Sequence, residues 1–252
     1  MQSGNNKISV IVPCYNSEAT IERCLSSVLA QTVQVYEILV YDDASQDRSS
    51  EILAKMASEN ERISVHTGLK NKGAGYARNA LLKKAKGNVF AFLDSDDVWH
   101  PRKLELQIDL MNRQGADIVV CYYDVIHVSG EKVGTRRPSA SINNFKMHLR
   151  NEIPTSMAIV RNELLGCRDM PSIRRRQDYA YWLKIFSQNR ELTCMTVPEV
   201  LGSYYRTPGS LSSNMVTNLG ANFRMFRKIM GYSIALASAC VLGNVITRLF
   251  RT

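Results

Sequence analysis

The run Phe90-Ala91-Phe92-Leu93-Asp94-Ser95-Asp96-Asp97 ends an apolar segment in three carboxylates within four residues. Carboxylates this close repel one another, so their placement at the mouth of a buried strand predicts a cation that neutralises them. A metal-assisted site with all-oxygen ligands follows, and Mg²⁺ or Mn²⁺ suits it. The same residues have a plainer reading, because acidic residues also open turns and cap helices, and Asp97 precedes a helical pattern from Pro101 to Asn112. Two other strand ends carry polar chemistry: Tyr15-Asn16 after Pro13, and Asp42-Asp43.

The elements that must position these residues are legible as periodicity. Ile8 to Val12 is continuously apolar and β-branched, as a strand covered on both faces should be, and it stops at Pro13. Ser17 is a plausible cap for an amphipathic helix through Ala30. The unit repeats: a strand from Tyr36 to Tyr41 and a helix from Arg48 to Asn60, then a strand from Ile63 to Thr67 and a helix from Gly73 to Lys86. A strand from Asn88 to Leu93 delivers the three carboxylates. Alternation of this kind predicts an α/β fold with a doubly wound, mostly parallel sheet flanked by helices, and such sheets bind ligands at the carboxyl ends of their strands. Farther on, Asp117 to His127 reads as a strand, Ser129-Gly130 as a turn, and 132–144 as a polar basic loop, either a lid or a solvated connection.

Taken in order, Val12-Pro13-Cys14-Tyr15-Asn16, Asp42-Asp43-Ala44-Ser45-Gln46-Asp47, Asn71-Lys72-Gly73 with Ala77-Arg78-Asn79, and Phe92-Leu93-Asp94-Ser95-Asp96-Asp97 resemble the motif series of family 2 glycosyltransferases. Arg175-Arg176-Gln177-Asp178-Tyr179 with Trp182-Leu183, and Tyr205-Arg206 with Ser210-Leu211-Ser212, continue it, so the resemblance covers about residues 7–212. The variant with Asp178-Tyr179 before Trp182 is similar to bacterial enzymes of capsule, O-antigen and teichuronic-acid-type glycan assembly. The resemblance implies the GT-A fold: a nucleotide-sugar half over about 1–112, an acceptor half over about 113–212, and a C-terminal helical extension over 213–252. It also implies an inverting, metal-dependent transfer of a sugar from a nucleotide donor, a UDP-sugar by expectation, to a glycan acceptor carried on lipid.

The roles it implies have independent physical logic. Asp43, with Asp42 beside it, is placed to accept the imide N–H of a uracil ring; a turn or cap carboxylate is the alternative. Arg78 could hydrogen-bond base or phosphate while Gly73 and Gly75 admit close backbone approach, or it is a solvated helix arginine. Pro13 and Tyr15 would wall the base. Asp94 and Asp96 match the family's metal motif, with Asp96 as principal ligand and Asp94 and Asp97 supporting. Asp178 is the expected catalytic base, taking the proton of the attacking hydroxyl, or else a first-turn acid that complements a helix dipole; Arg174, Arg175 and Arg176 precede it. Arg206 would clamp the diphosphate. The stretch from Asn151 to Met170 contains no motif that identifies the acceptor.

Composition narrows the partners. Thirty-two Lys and Arg against 23 Asp and Glu give a net charge of +9 and a preference for anions. The basic residues do not interleave with aromatics along a groove, which argues against nucleic acid. No Gly-x-Gly-x-x-Gly follows the first strand, which argues against a dinucleotide-binding dehydrogenase. Six scattered cysteines, Cys14, Cys24, Cys121, Cys167, Cys194 and Cys240, show neither zinc spacing nor a disulfide framework. The first residues, Met1 to Lys7, lack the apolar core of a secretory signal. These features predict a cytoplasmic protein, peripheral at the inner face of the cell membrane. Residues 229–247 are free of charge between Arg224, Arg227 and Lys228 on one side and Arg248 and Arg251 on the other. Such a run lies on an anionic membrane surface, packs on the domain or in a homo-oligomer, or spans the bilayer. A different class of function, a silent nucleotide-sugar-binding scaffold, is disfavoured by the intact set of Asp94, Asp96 and Asp178.

Overall fold

The computed structural model describes residues 6–164, 169–171, 173, 175–189, 191–206 and 215–249, with backbone alone at 215–217 and 248–249. Strand β1 (Ile8–Cys14) is buried along its whole length, as its apolar run requires. It is followed by α1 (Ile21–Leu29), β2 (Glu37–Asp42), α2 (Ser49–Glu59), β3 (Ile63–Thr67), α3 (Ala74–Leu82) and β4 (Val89–Phe92). β1 pairs in parallel with both β2 and β4, and β2 with β3. Cys14 therefore lies opposite Asp42, and Asp42 opposite Thr67, so the polar strand ends form one rim.

The second half continues the same sheet with mixed direction. β5 (Val98–Trp99), α4 (Lys103–Gln114), β6 (Ile118–His127), β7 (Lys132–Arg136), β8 (Ser141–Ile142), α5 (Asn144–Leu149), β9 (Ile159–Arg161), α6 (Gln177–Gln188) and β10 (Cys194–Arg206) precede the helices α7 (Met215–Lys228) and α8 (Ile234–Leu249). The strand order is β3-β2-β1-β4-β9-β6-β10-β5, with β7 beside β6 and β8 beside β10. β6 and β10 are parallel, while β9 runs antiparallel to both β4 and β6. Alternate residues of the central strands feed two cores: Val10, Val12, Ala91 and Leu93 pack under α1, α2 and α4, and Ile11, Phe90 and Phe92 under α3, α6 and the C-terminal helices.

Three local expectations are corrected. The first helix begins at Ile21 instead of following Ser17, because the Ser17 carbonyl accepts from both Thr20 N and Ile21 N in a preceding turn while its hydroxyl turns to Ser95 (2.7 Å). The stretch 132–144 is not a loop: β7 forms a hairpin with β6, turned at Gly130 (φ +88°), and β8 pairs with β10. Its low apolar content hid it, because an edge strand with one wet face gains most from backbone pairing. The uncharged run 229–247 is also not one helix. Gly231 (φ +72°) breaks it, α7 and α8 fold back on each other, and Met225, Phe226, Ala237 and Cys240 enter the core. Among the described residues no helix is long and apolar enough to cross a membrane. Cys14, Cys24, Cys121, Cys194 and Cys240 are buried free thiols; Cys167 lies outside the described residues.

Candidate active site

A cleft of about 430 Å³ opens at the rim of β1, β2 and β4, lined by Pro13, Tyr15, Asp43, Arg78, Asp94 and Asp96 among others. Tight backbone at the strand ends shapes it: Asn16 (φ +47°) and Ala44 (φ +62°) adopt left-handed conformations immediately after β1 and β2. Asp42 and Asp43 divide the work. Asp42, only 1% exposed, is consumed locally, accepting from Ser45 N (3.0 Å) and from the Ser50 hydroxyl, and it does not line the cleft. Asp43 faces the cleft and holds its far wall, accepting from Lys72 N (3.0 Å) and Gly73 N (2.6 Å). Gly73 permits this with φ +89°. Gly75 lies against the end of the Gln177 side chain at the start of α6.

Arg78 projects from α3, is 4% exposed, and pairs with Asp94; its Nε is buried without a hydrogen-bond partner. It is therefore not a solvated helix arginine. Asp94 is held a second time through its own N–H, which donates to the Ser156 hydroxyl (3.2 Å). Burial, then the charge of Asp94, pushes the Asp96 carboxyl up to about 6. Asp97 sits behind the cleft, fully buried, with Oδ1 accepting from Tyr205 N (3.0 Å); burial and the charges of Asp96 and Asp94 push its carboxyl well above the ordinary range. This placement ties the carboxylate turn to β10. It takes Asp97, expected as a supporting metal ligand, off the cleft wall, where Asp43, Asp94 and Asp96 are the acidic residues among those described.

A second cavity of about 250 Å³ begins on the other side of Asp94 and is walled by Tyr123, Asn151, Glu152, Thr155, Ser156 and Asp178 among others. Its wall is built from 151–157, the stretch without a motif. Trp99 Nε1 fixes it by donating to Ser156 O (2.7 Å), Trp182 Nε1 by donating to Thr155 Oγ1 (3.0 Å), and buried Glu152 by pairing with Arg150. Asp178 stands in the first turn of α6, half-buried, with Asn151 Nδ2 at 3.5 Å from Oδ2. Arg176 enters that helix with φ +64°. The two cavities thus share one wall residue, Asp94, and Asp178 lines the second.

A family model described as glycosyl transferase family 2 matches residues 9–170. The chain belongs to that family. It is 32% identical over 234 residues to TuaG of Bacillus subtilis strain 168, a glycosyltransferase named for teichuronic acid biosynthesis, covering 92% of each chain. It is 33% identical over 212 residues to WfgD of Escherichia coli, named UDP-Glc:alpha-D-GlcNAc-diphosphoundecaprenol beta-1,3-glucosyltransferase, covering 84% of this chain and 82% of the relative. Among solved structures, S. aureus TarS 1–349 in complex with UDP superposes with a TM-score of 0.70 at 20% identity, over 98% of this chain and 72% of that one. Its complex with UDP-GlcNAc gives 0.71 at 21% identity, over 95% and 71%. These matches show the GT-A fold, and the family makes the protein an inverting glycosyltransferase.

A divalent cation fits this glycosyltransferase only in a particular way. Among the described residues no three His, Cys, Asp or Glu side chains are grouped to hold a metal ion. Asp94 and Asp96 offer an all-oxygen pair, and burial followed by the charge of Asp94 raises the Asp96 carboxyl. Magnesium-type sites commonly use one or two carboxylates and complete the shell with substrate phosphates and water. The residues fit that arrangement and do not form a cage of their own. Arg206 ends β10 in an exposed position outside both cavities. Arg174 and Ser210-Leu211-Ser212 lie outside the described residues. Sequence reasoning did not single out Ser156, Asn151, Glu152 or Arg136, which line the second cavity.

Proposed function

We propose that this protein transfers a sugar from a UDP-sugar to a lipid-linked glycan acceptor in cell-surface polysaccharide assembly, with a divalent cation, Mn²⁺ or Mg²⁺, at the donor diphosphate. The observation that carries this reading is the meeting of two cavities at Asp94, one lined by base- and phosphate-type residues and the other containing Asp178. The donor cleft draws all its lining from residues 13–96 and the second cavity nearly all from 123–204, which supports a donor half over about 1–112 and an acceptor half over about 113–212. The printed activity of WfgD and the UDP complexes of TarS support the donor and acceptor classes.

In this reading Pro13 and Tyr15 pack against the base, and Asp43 presents the base-binding edge of the cleft while anchoring the loop at Lys72-Gly73. Asp42 acts one layer behind, fixing the turn that aims Asp43. Arg78 holds Asp94 in place, and Asp96 and Asp94 face the diphosphate. The cation, when bound, stabilises the negative charge that grows on the leaving nucleoside diphosphate. Asp178 accepts the proton of the acceptor hydroxyl as it attacks from the opposite side, which gives inversion in one displacement. Arg206 closes over the diphosphate from the end of β10.

The C-terminal extension, 213–252, serves as the membrane contact. α8 buries Ala237 and Cys240 and leaves Ile234, Leu236, Leu242 and Ile246 exposed, near the basic Arg224, Arg227 and Lys228 of α7. That combination suits the surface of an anionic bilayer at the cytoplasmic face, where the lipid-linked acceptor would be met.

Titration of UDP, GDP, CDP and ADP into the purified protein, with and without Mn²⁺, tests the reading. UDP should bind tightest and gain affinity from the metal, and a panel of UDP-sugars should then reveal slow hydrolysis of the true donor. Failure of every nucleotide to bind would overturn it.

A further inference from the structure

Resting on Asp178 as the base just proposed, we infer that Asn79 is a positioning residue that holds the start of α6, and with it the Asp178 carboxylate, against the donor cleft. Asn79 lies in α3 and makes two reciprocal hydrogen bonds with a residue 91 positions away. Its Nδ2 donates to Met170 O (3.0 Å), and Met170 N donates to its Oδ1 (2.7 Å). A side-chain amide that engages both the N–H and the C=O of one residue copies the exchange made between paired strands, and it fixes that residue in distance and in orientation. Met170 is 2% exposed and packs in the same core as Tyr179, the residue after Asp178. Its backbone groups therefore have no water to turn to if the amide is lost.

The contact is one of a row. Gly75, Asn79 and Lys83 recur every fourth residue and share a face of α3. The end of the Gln177 side chain lies against Gly75, Met170 is bonded to Asn79, and Asp169 pairs with Lys83 (3.3 Å). The approach to α6 is thus docked on α3 at three points. The outermost, Lys83 to Asp169, is exposed on both sides and contributes little in water. Arg78, the residue before Asn79, pairs with Asp94 on the donor side. Neighbouring residues of one helix, about 1.5 Å apart along its axis, therefore hold the donor-side carboxylate and the segment that leads to the base. Displacement in line needs that spacing kept, because misplacement by about 1 Å costs on the order of 10²-fold in rate.

A double-mutant cycle and hydrogen exchange on the full chain test the assignment. Asn79→Ala should slow UDP release from the donor that the sugar panel identifies by about 10- to 100-fold, with UDP affinity unchanged. In the Asp178→Asn background the same substitution should cost little more, because the group it positions is already gone. Amide exchange read by mass spectrometry should quicken over residues 175–181 and stay as in wild type over 89–94. Asn79→Asp, which still accepts from Met170 N, should show the same pattern in milder form and serves if the alanine variant does not fold. Equal fold losses in both backgrounds, which a merely structural residue would give, would overturn the inference, as would a loss of UDP affinity or unaltered exchange over 175–181. An Asp178→Asn protein with wild-type turnover would bring down the base assignment and this inference with it, so that single variant tells the two failures apart.

Discussion

Replacing Asp178 by Asn separates proton acceptance from everything else this side chain does. The amide has nearly the shape of the carboxylate, and the hydrogen bond at risk among the described residues, Asn151 Nδ2 to Oδ2, is already long at 3.5 Å. Asp178 also lies in the first turn of α6, where a negative charge contributes about 0.3–1 kcal/mol through the helix dipole. Summed, these predict a melting temperature lowered by no more than about 4 °C for a chain of this size. The donor cleft does not include Asp178, so UDP affinity should be unchanged. Turnover should fall by roughly 10²–10⁴, the range for loss of a positioned general base. The assay is release of UDP from the donor identified by the panel, with calorimetric UDP binding and thermal unfolding measured on the same preparations. A folded variant that keeps turnover within about threefold of wild type would refute the base assignment, and a large loss of UDP affinity would show that Asp178 belongs to the donor site instead.

Asp96→Asn should reduce the Mn²⁺-dependent part of UDP affinity while leaving the metal-free part nearly intact, since it removes one of the two carboxylates proposed to face the diphosphate; calorimetry with and without metal reads both. Burial pushes the Lys103 ammonium from 10.5 down to about 8, although Trp99 lies 4.0 Å from Nζ and Gln107 Oε1 accepts at 2.7 Å. Because the folded-state value is the lower one, the unfolded chain binds more protons between about pH 8 and 10.5, and this group's contribution to stability rises with pH across that window. The gain of Lys103→Met over wild type in urea unfolding should therefore shrink from pH 7 to pH 10, by up to about 3 kcal/mol, and a gain independent of pH would refute it. Leu242→Glu with Ile246→Glu on the exposed face of α8 should abolish flotation with anionic vesicles without lowering the melting temperature; unchanged flotation would remove α8 from the membrane contact. Truncation before α7 is the poorer test, because Met225 and Phe226 are core residues whose loss would destabilise the domain.

Sequence alone determined the elements whose pattern is local. The continuous apolar runs of β1 and β4 and the polar residues that end them marked strands of a covered parallel sheet, so a polar rim at Asp43, Asp94 and Asp96 could be expected, while turn or cap roles for these acids and a solvated Arg78 stayed open. Tertiary structure decided what depends on partners distant in the chain. Asp42 and Asp43 are adjacent and chemically equal, yet only the approach of Lys72-Gly73 sends one into the cleft and leaves the other to Ser45 and Ser50. Asp97 reads like Asp94 and Asp96 in the sequence, but the backbone of Tyr205, 108 residues away, draws it out of the site. The segment 151–157 carries no periodicity because Trp99 and Trp182 hold it through hydrogen bonds to its backbone and a hydroxyl, and such contacts leave no repeating pattern in the chain.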